Sequence, residues 1–400
     1  MRRLAFLFAL AACGSSTTPG IGDDTMGDDD GSNTGSGSGS NMACTRTAGA
    51  ADAPRFIVVS HSYTQSGDKS TKYEVLHVDT AGAITRGAQF DMNRTSFGSI
   101  QFTPDGKVGI AVSDEMGTLG VFTLADDGTP TVVDPGFGTG MFYAERVVID
   151  PTGTIAYVLD GNTRGTNGGG VYAVQINCDA TLTFIGKLAD ASTPRGMILD
   201  GDRAFLAATS TLDAPAGSDV TMLQLAGTMT PTVMAGADAF GNDNAVFGGF
   251  GFTTDKSTIL VGNTSFAGNN TVATVSVTAT TMTPGVQLSI ADPESIETSP
   301  FDNTAIVTTA DGDKITILND QGTNGAWQIK GTFGSPQQPG DTAQIHRGAL
   351  NGHVFISELS GIHHIAFGQG GTVTEVGFTD LTGGDDNDLV DLPGAIGITP

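Results

Sequence analysis

Bases are scarce in this chain, so the placement of its arginines carries information. Lys and Arg number 18 against 43 Asp and Glu, a formal charge of −25 over 400 residues. Arg146, Arg195 and Arg347 each stand five residues before the turn position of a recurring strand–turn–strand unit. A guanidinium is always charged, and its planar fork matches a carboxylate or phosphate. Three of them in one ring make an anion site. Glu145, Glu294 and His346 fall one residue before ring positions, and a loop between second and third strands adds His61 to the same face. Such a set could hold a lactone or an acidic sugar on Arg146, Arg195 and Arg347, with His346 or Glu294 as general base toward water. The competing reading is that pairs of the Arg146–Glu145 and Arg347–Glu294 type merely plug the channel and neutralise it. Both readings stay open on the residues alone.

Other chemistries find less support. The chain has no His-x-x-His, Cys-x-x-Cys or His-Glu-x-x-His spacing, so zinc is not expected. Asp385, Asp386, Asn387, Asp388 and Asp391 could gather oxygen ligands for Ca²⁺, but they lack EF-hand spacing and read by default as a solvated acidic loop. No cofactor is expected: a Gly-x-Ser-x-Gly elbow, a P-loop and a dinucleotide fingerprint are all missing from the strand–helix context they need. The large negative charge excludes a non-specific nucleic-acid binder, because phosphate repels it.

The elements that must position these residues come from a repeat. Its clearest copies are Ser99-Ile100-Gln101-Phe102-Thr103-Pro104-Asp105-Gly106 followed by residues 108–113, and Arg146-Val147-Val148-Ile149-Asp150-Pro151-Thr152-Gly153 followed by residues 155–159. Taking Pro104, Pro151, Asp200, Thr254, Pro300 and Gly352 as the turn positions gives gaps of 47, 49, 54, 46 and 52 residues. The ends complete the count. Residues 56–60 match a second strand that has no first strand before it. Residues 394–400 match a first strand, ending in Thr-Pro, with no second strand after it. A circular array explains both orphans. The fold expected is therefore all-β: a β-propeller of seven four-stranded blades, closed by the C-terminal strand. The 57 glycines and the lack of any sustained 3.6-residue period after residue 42 agree with it. Two β-sandwich domains are the rival architecture, but they do not predict matching orphan strands.

With a single Trp, the chain is not a WD40 array. The Thr-Pro-Asp-Gly-Lys turn at 103–107, the Asp-Pro-Thr-Gly-Thr turn at 150–154 and the period resemble the lactonase-like seven-bladed propellers of the YVTN superfamily, over about residues 55–400. That superfamily holds phosphogluconolactonase-like hydrolases, muconate-lactone-forming cyclases and many exported proteins with no known reaction. In its characterised members Arg, His and Glu at the channel mouth bind substrate, but no strict catalytic motif can be matched here. The function expected is a non-enzymatic ligand- or protein-binding module, with a small anionic ligand or an envelope protein as partner. The alternative is a lactonase-like hydrolase or cyclase acting on an anionic lactone or sugar acid at the channel mouth.

The start of the chain reads as an address. Arg2 and Arg3 precede an apolar run at 4–12, too short to span a bilayer. Leu10-Ala11-Ala12-Cys13-Gly14 resembles a bacterial lipobox, which implies a signal peptide at 1–12 and lipidation of Cys13. Gly14 after the Cys implies the outer membrane. Residues 13–41 are Gly, Ser, Thr and Asp with almost no bulky apolar residue, the composition of a flexible tether. The propeller is assigned to 42–400, as a monomer anchored to the membrane by lipid. Cys44 and Cys178 are then the remaining cysteines, and export to an oxidising space suits a disulfide between them.

Overall fold

Short apolar stretches alternate with Gly- and Asp-rich turns, and each stretch forms a strand paired antiparallel to the next. The computed structural model describes residues 44–400 apart from 64–68, 97, 114–116, 166–167, 226–229, 242–246, 265–269, 310–313, 321–325, 335–338, 359 and 383–392. The expected signal peptide, tether, Cys13 and the acidic 385–391 stretch lie outside the described residues. The strands form seven antiparallel sheets in the order of a seven-bladed propeller. The first blade joins Pro393–Ile398 to Arg55–Tyr63, Lys69–Val78 and Ile84–Asp91. The others begin with Ile100–Phe102, Ala144–Ile149, Gly196–Asp200, Phe247–Phe252, Pro293–Thr298 and Thr342–Gln344.

Closure rests on one strand pair. Ile57 opposes Ile398, Val58 opposes Gly397 and Val59 opposes Ile396, and beyond them the Thr399 amide donates to the Phe56 carbonyl. Successive side chains of a strand point to opposite faces. Val58 accordingly packs with Tyr73, Ile100, Phe102 and Phe122 toward the second blade. Ile57 and Val59 pack with Leu76, Phe355 and Ile362 toward the seventh. Residues 57–59 are fully buried. Both faces of the sheet are covered, which is why the strand is apolar throughout rather than alternating.

The turns between first and second strands define one end of the molecule, and Asp side chains build them. In the third blade, Asp150 accepts from the amides of Thr152, Thr154 and Ile155. In the second, Asp105 accepts from the Lys107 amide and the Thr103 hydroxyl. Residues 44–54 lie along this turn end. Cys44 is disulfide-bonded to Cys178, with Cα atoms 5.0 Å apart. Arg46 pairs with Asp105 at 3.1 Å and donates its amide to Thr152.

Two features depart from the sequence expectation. Ser210–Thr211, from the fourth blade's second-to-third-strand connection, pairs with Leu182–Ser192 and gives the third blade a fifth strand. In the seventh blade, Ile345 closes the turn by donating to His353, eight residues on; the equivalent span from Thr103 to Val108 is five. The extra residues form a 3-10 turn at Gly348–Leu350. The turn position is therefore His346, not Gly352.

Deleting residues 394–400 strips the first blade of its innermost strand and bares an apolar edge. Calorimetry should show loss of the cooperative melt; an unchanged transition would contradict this account of closure. Replacing Cys44 and Cys178 by Ser should leave the fold intact but lower its stability by roughly 2–5 kcal/mol, the range for a native disulfide closing a long loop.

Candidate functional site

Inner strands run from the mouth of the central channel toward the turn end. Aligning the blades on the residue whose amide closes each turn puts Ser99, Arg146, Gly196, Gly249, Ser295, Asp341 and Ala395 at one level. Arg195 and Glu145 lie one residue nearer the mouth, as does Glu294. An axial cavity of about 190 Å³ opens here, its wall including Ser99, Arg146, Arg195, Phe250, Glu297 and Asp341. A second hollow of about 320 Å³ is formed by the single loop 210–218, and Asp213 is the titratable group on its wall.

The charges in the axial cavity are mixed. Arg146 Nη2 reaches across from the third blade to Asp341 Oδ1 of the seventh at 3.5 Å. Arg195 Nη1 stands 3.4 Å from Glu145 Oε2 on the neighbouring blade. Both guanidiniums stay about one-third exposed, so they remain available to a ligand. Two glycines allow close approach at the mouth, Gly161 to Glu145 and Gly249 to Ile296. A Cβ on Gly161 would lie 2.0 Å from Glu145 Cγ, and one on Gly249, whose φ is +76°, would lie 2.6 Å from Ile296 Cγ1.

Across from the arginines the sixth and seventh blades present carboxyls. Burial raises the pKa of Glu294 to about 7; Asp292 and Asp341 add to the rise, and Arg146 and Arg195 oppose it. Burial likewise raises Glu297 to about 7, with Asp341 adding and with Arg146 and a hydrogen bond from Thr342 opposing. Asp341 is raised by burial against the pull of Arg146. A carboxyl poised near neutrality can take or give a proton at physiological pH.

Of the residues expected at the mouth, Arg146 and Arg195 line this cavity, Glu145 pairs with Arg195, and Glu294 lies within electrostatic reach of both arginines. Arg347 does not. The longer seventh-blade loop shifts it to the turn end, where its Nη1 donates to Gly49 O at 2.8 Å and its Nη2 to Pro400 O at 2.7 Å. His346 is exposed at that same end. His61 is buried within the first blade, its Nε2 3.0 Å from Glu74 Oε2. Burial pushes the Glu74 carboxyl up, but hydrogen bonds from His61 and Arg86 outweigh it and hold the pKa below the usual range. That cluster serves packing between the first and seventh blades, since Arg86 also donates to Leu381 O. The ring thus exchanges a third arginine for Asp341. The period itself held the signal: counting 46 residues on from Pro300, the gap that separates Thr254 from Pro300, lands on His346 and puts Asp341 in the ring. Glu297 and Thr342 carried no signal in the sequence, because they lie deeper along their strands than the ring position and the residue before it. Among the described residues, no group of three or more His, Cys, Asp or Glu is arranged to hold a metal ion.

No family profile and no curated protein matches the chain. Among solved structures it is similar to a putative 6-phosphogluconolactonase from Bacteroides fragilis, with 12% identity over 88% of this chain and 99% of that one, and a TM-score of 0.62. A putative 6-phosphogluconolactonase from Bacteroides uniformis gives 12% identity, 86% and 99% coverage and a TM-score of 0.61. The periplasmic gluconolactonase PpgL of Pseudomonas aeruginosa gives 16%, 75% and 86%, and 0.57. At such identities the likeness establishes a shared fold.

The raised carboxyls have a thermodynamic consequence. Between the unfolded value of about 4.5 and the folded value of about 7, the native state binds protons that the unfolded state has released. These groups therefore make the fold less stable as pH rises through that window. Denaturant titrations of Glu297→Gln should show a shallower loss of stability from pH 4.5 to 7 than wild type; an identical slope would mean Glu297 ionises normally.

Proposed function

We propose that this protein hydrolyses a lactone of a sugar acid in the axial cavity. The observation that carries the reading is one axial cavity lined by Arg146, Arg195 and Glu297, with Glu294 within electrostatic reach of both guanidiniums and both glutamates poised near neutral pH. Arg195 and Arg146 hold the anionic or carbonyl oxygens of the substrate and stabilise the oxyanion that forms when water attacks. Glu294, as carboxylate, takes the proton of that water. Phe250 offers an apolar wall to the ring. His346 and Arg347, at the turn end, take no part. The binding-only role expected from the sequence gains no support from this geometry or from the structural neighbours, which include a gluconolactonase and putative 6-phosphogluconolactonases.

We further propose that Cys13 is lipidated and holds the chain in the bacterial envelope, in keeping with Arg2, Arg3 and the apolar run before it. Cys13→Ser should then move the protein from the membrane to the soluble fraction; fractionation that finds both forms soluble would end this reading.

The soluble 42–400 fragment should open at least one member of a panel of sugar-acid and muconate lactones. Arg195→Ala and Arg146→Ala should each lower kcat/KM by roughly 10²–10³-fold, the loss typical of an oxyanion-stabilising donor. Melting temperatures should stay within about 5 °C of wild type, as expected for substitutions at partly exposed residues. Because the pKa of Glu294 is raised, the rate should climb as pH rises toward about 7, and Glu294→Gln should abolish that climb. No turnover across the panel, or full activity in both arginine variants, would overturn the proposal.

A further inference from the structure

A chain of hydroxyls links the two carboxyl-bearing blades inside the cavity. Ser295 Oγ lies 2.6 Å from Thr342 Oγ1, and Thr342 Oγ1 lies 2.6 Å from Glu297 Oε1. All three residues line the cavity wall. The chain spans two blades and is held in register by Thr308, which accepts from the Ser295 amide at 3.0 Å and donates to Gly340 O at 2.9 Å. Each hydroxyl has one hydrogen to give. With Glu297 charged, Thr342 must donate to it, and Ser295 must donate to Thr342. With Glu297 protonated, the order reverses: Glu297 donates to Thr342, Thr342 donates to Ser295, and the Ser295 hydrogen is free to point into the cavity.

Resting on the hydrolase reading, we propose that Glu297, Thr342 and Ser295 are a proton relay that supplies the leaving oxygen of the lactone, with Ser295 the member that touches substrate. The balance closes. Water forms a bond to the carbonyl carbon and gives its proton to Glu294. The bond from that carbon to the ring oxygen breaks. The ring oxygen takes the Ser295 hydrogen, Ser295 takes that of Thr342, and Thr342 takes that of Glu297. The ring opens to a hydroxy acid, with Glu294 protonated and Glu297 charged, and proton exchange with solvent resets both. The groups that bear on Glu297 are Thr342 and Asp341 at the start of the seventh blade and Arg146 across the channel; Glu294 lies three residues before it on its own strand. Arg146 and Asp341 oppose each other there, and Thr342 is the neutral group that hydrogen-bonds the carboxyl. Thr342 and Glu297 act through Ser295 and are positioning residues; Ser295 is the catalytic one.

The test compares Thr342→Val, which keeps the shape and removes the hydroxyl, with Thr342→Ser, which restores it. Wild type should show a bell-shaped kcat profile, since Glu294 must be charged and Glu297 protonated. Thr342→Val should lower kcat by roughly 10²-fold, in the range for loss of a general acid, with KM nearly unchanged and the alkaline limb gone. Thr342→Ser should recover both. Infrared difference spectra across the titration give a readout independent of turnover. The protonated Glu297 carbonyl band, identified by its loss in Glu297→Gln, should move in Thr342→Val and return in Thr342→Ser. A wild type that opens lactones, with Thr342→Val keeping both the pH profile and the band, overturns the relay alone. A wild type that opens no lactone ends the relay and the hydrolase reading together.

Discussion

The ladder between residues 393–398 and 55–63 is the contact on which everything else in the molecule depends. Each blade is apolar on both faces and finds cover only because it has a neighbour on each side. An open row of seven would leave two such faces in water, at about 25 cal/mol for every Å² of apolar surface exposed. Bringing together two segments more than 330 residues apart costs loop-closure entropy, which grows only slowly with length, and the burial of residues 57–59 against two blades outweighs it. Closure also makes the channel. The inner strands converge on one axis only when the ring is complete, and the cavity walls come from six of the seven first strands and from Ile396 of the closing strand itself.

Within that ring, chemistry follows from what the axis does to charge. Side chains that would be fully solvated on an outer strand are here partly buried against one another. The guanidiniums respond by reaching across to acids, as Arg146 does to Asp341. The acids outnumber them, and those left without a cation of their own, Glu294 and Glu297, hold protons to near neutrality. A strongly acidic protein can in this way present a cavity that suits an oxygen-rich, partly anionic ligand. Its carboxyls are pressed by burial toward the neutral form, while its arginines cannot lose their charge.

Much of this architecture was legible in the residues. The Thr-Pro-Asp-Gly turn at 103–106 and the Asp-Pro-Thr-Gly turn at 150–153 mark where strands reverse. The unpartnered strands at 56–60 and 394–400 announce a closed array, and Arg146, Arg195, Glu145 and Glu294 fall at the mouth because the period places them there. The seventh blade misled, for a physical reason. Its first turn is three residues longer, and the Asn351-Gly352 pair inside that loop mimics the Asp-Gly punctuation of its siblings. That choice displaced Arg347 and His346 to the wrong end and hid Asp341 from the ring. His61 was misplaced differently: strand alternation, which a second-strand position leaves ambiguous near its end, turns it into the interface between blades, where Glu74 and Arg86 complete a buried cluster. The Ser295–Thr342–Glu297 chain could not be read at all, since it joins residues 47 and 45 positions apart on separate blades.

The most direct test of the central claim is where a ligand binds. A crystal structure of the 42–400 fragment, soaked with the hydroxy acid released from whichever lactone it opens fastest, should show that acid on the axis. Its carboxylate should lie against Arg146 and Arg195, and its new hydroxyl within hydrogen-bond reach of Ser295. Density for the acid anywhere else, in the hollow of residues 210–218 or at the turn end beside Arg347, with the axial cavity holding only solvent, would contradict the account.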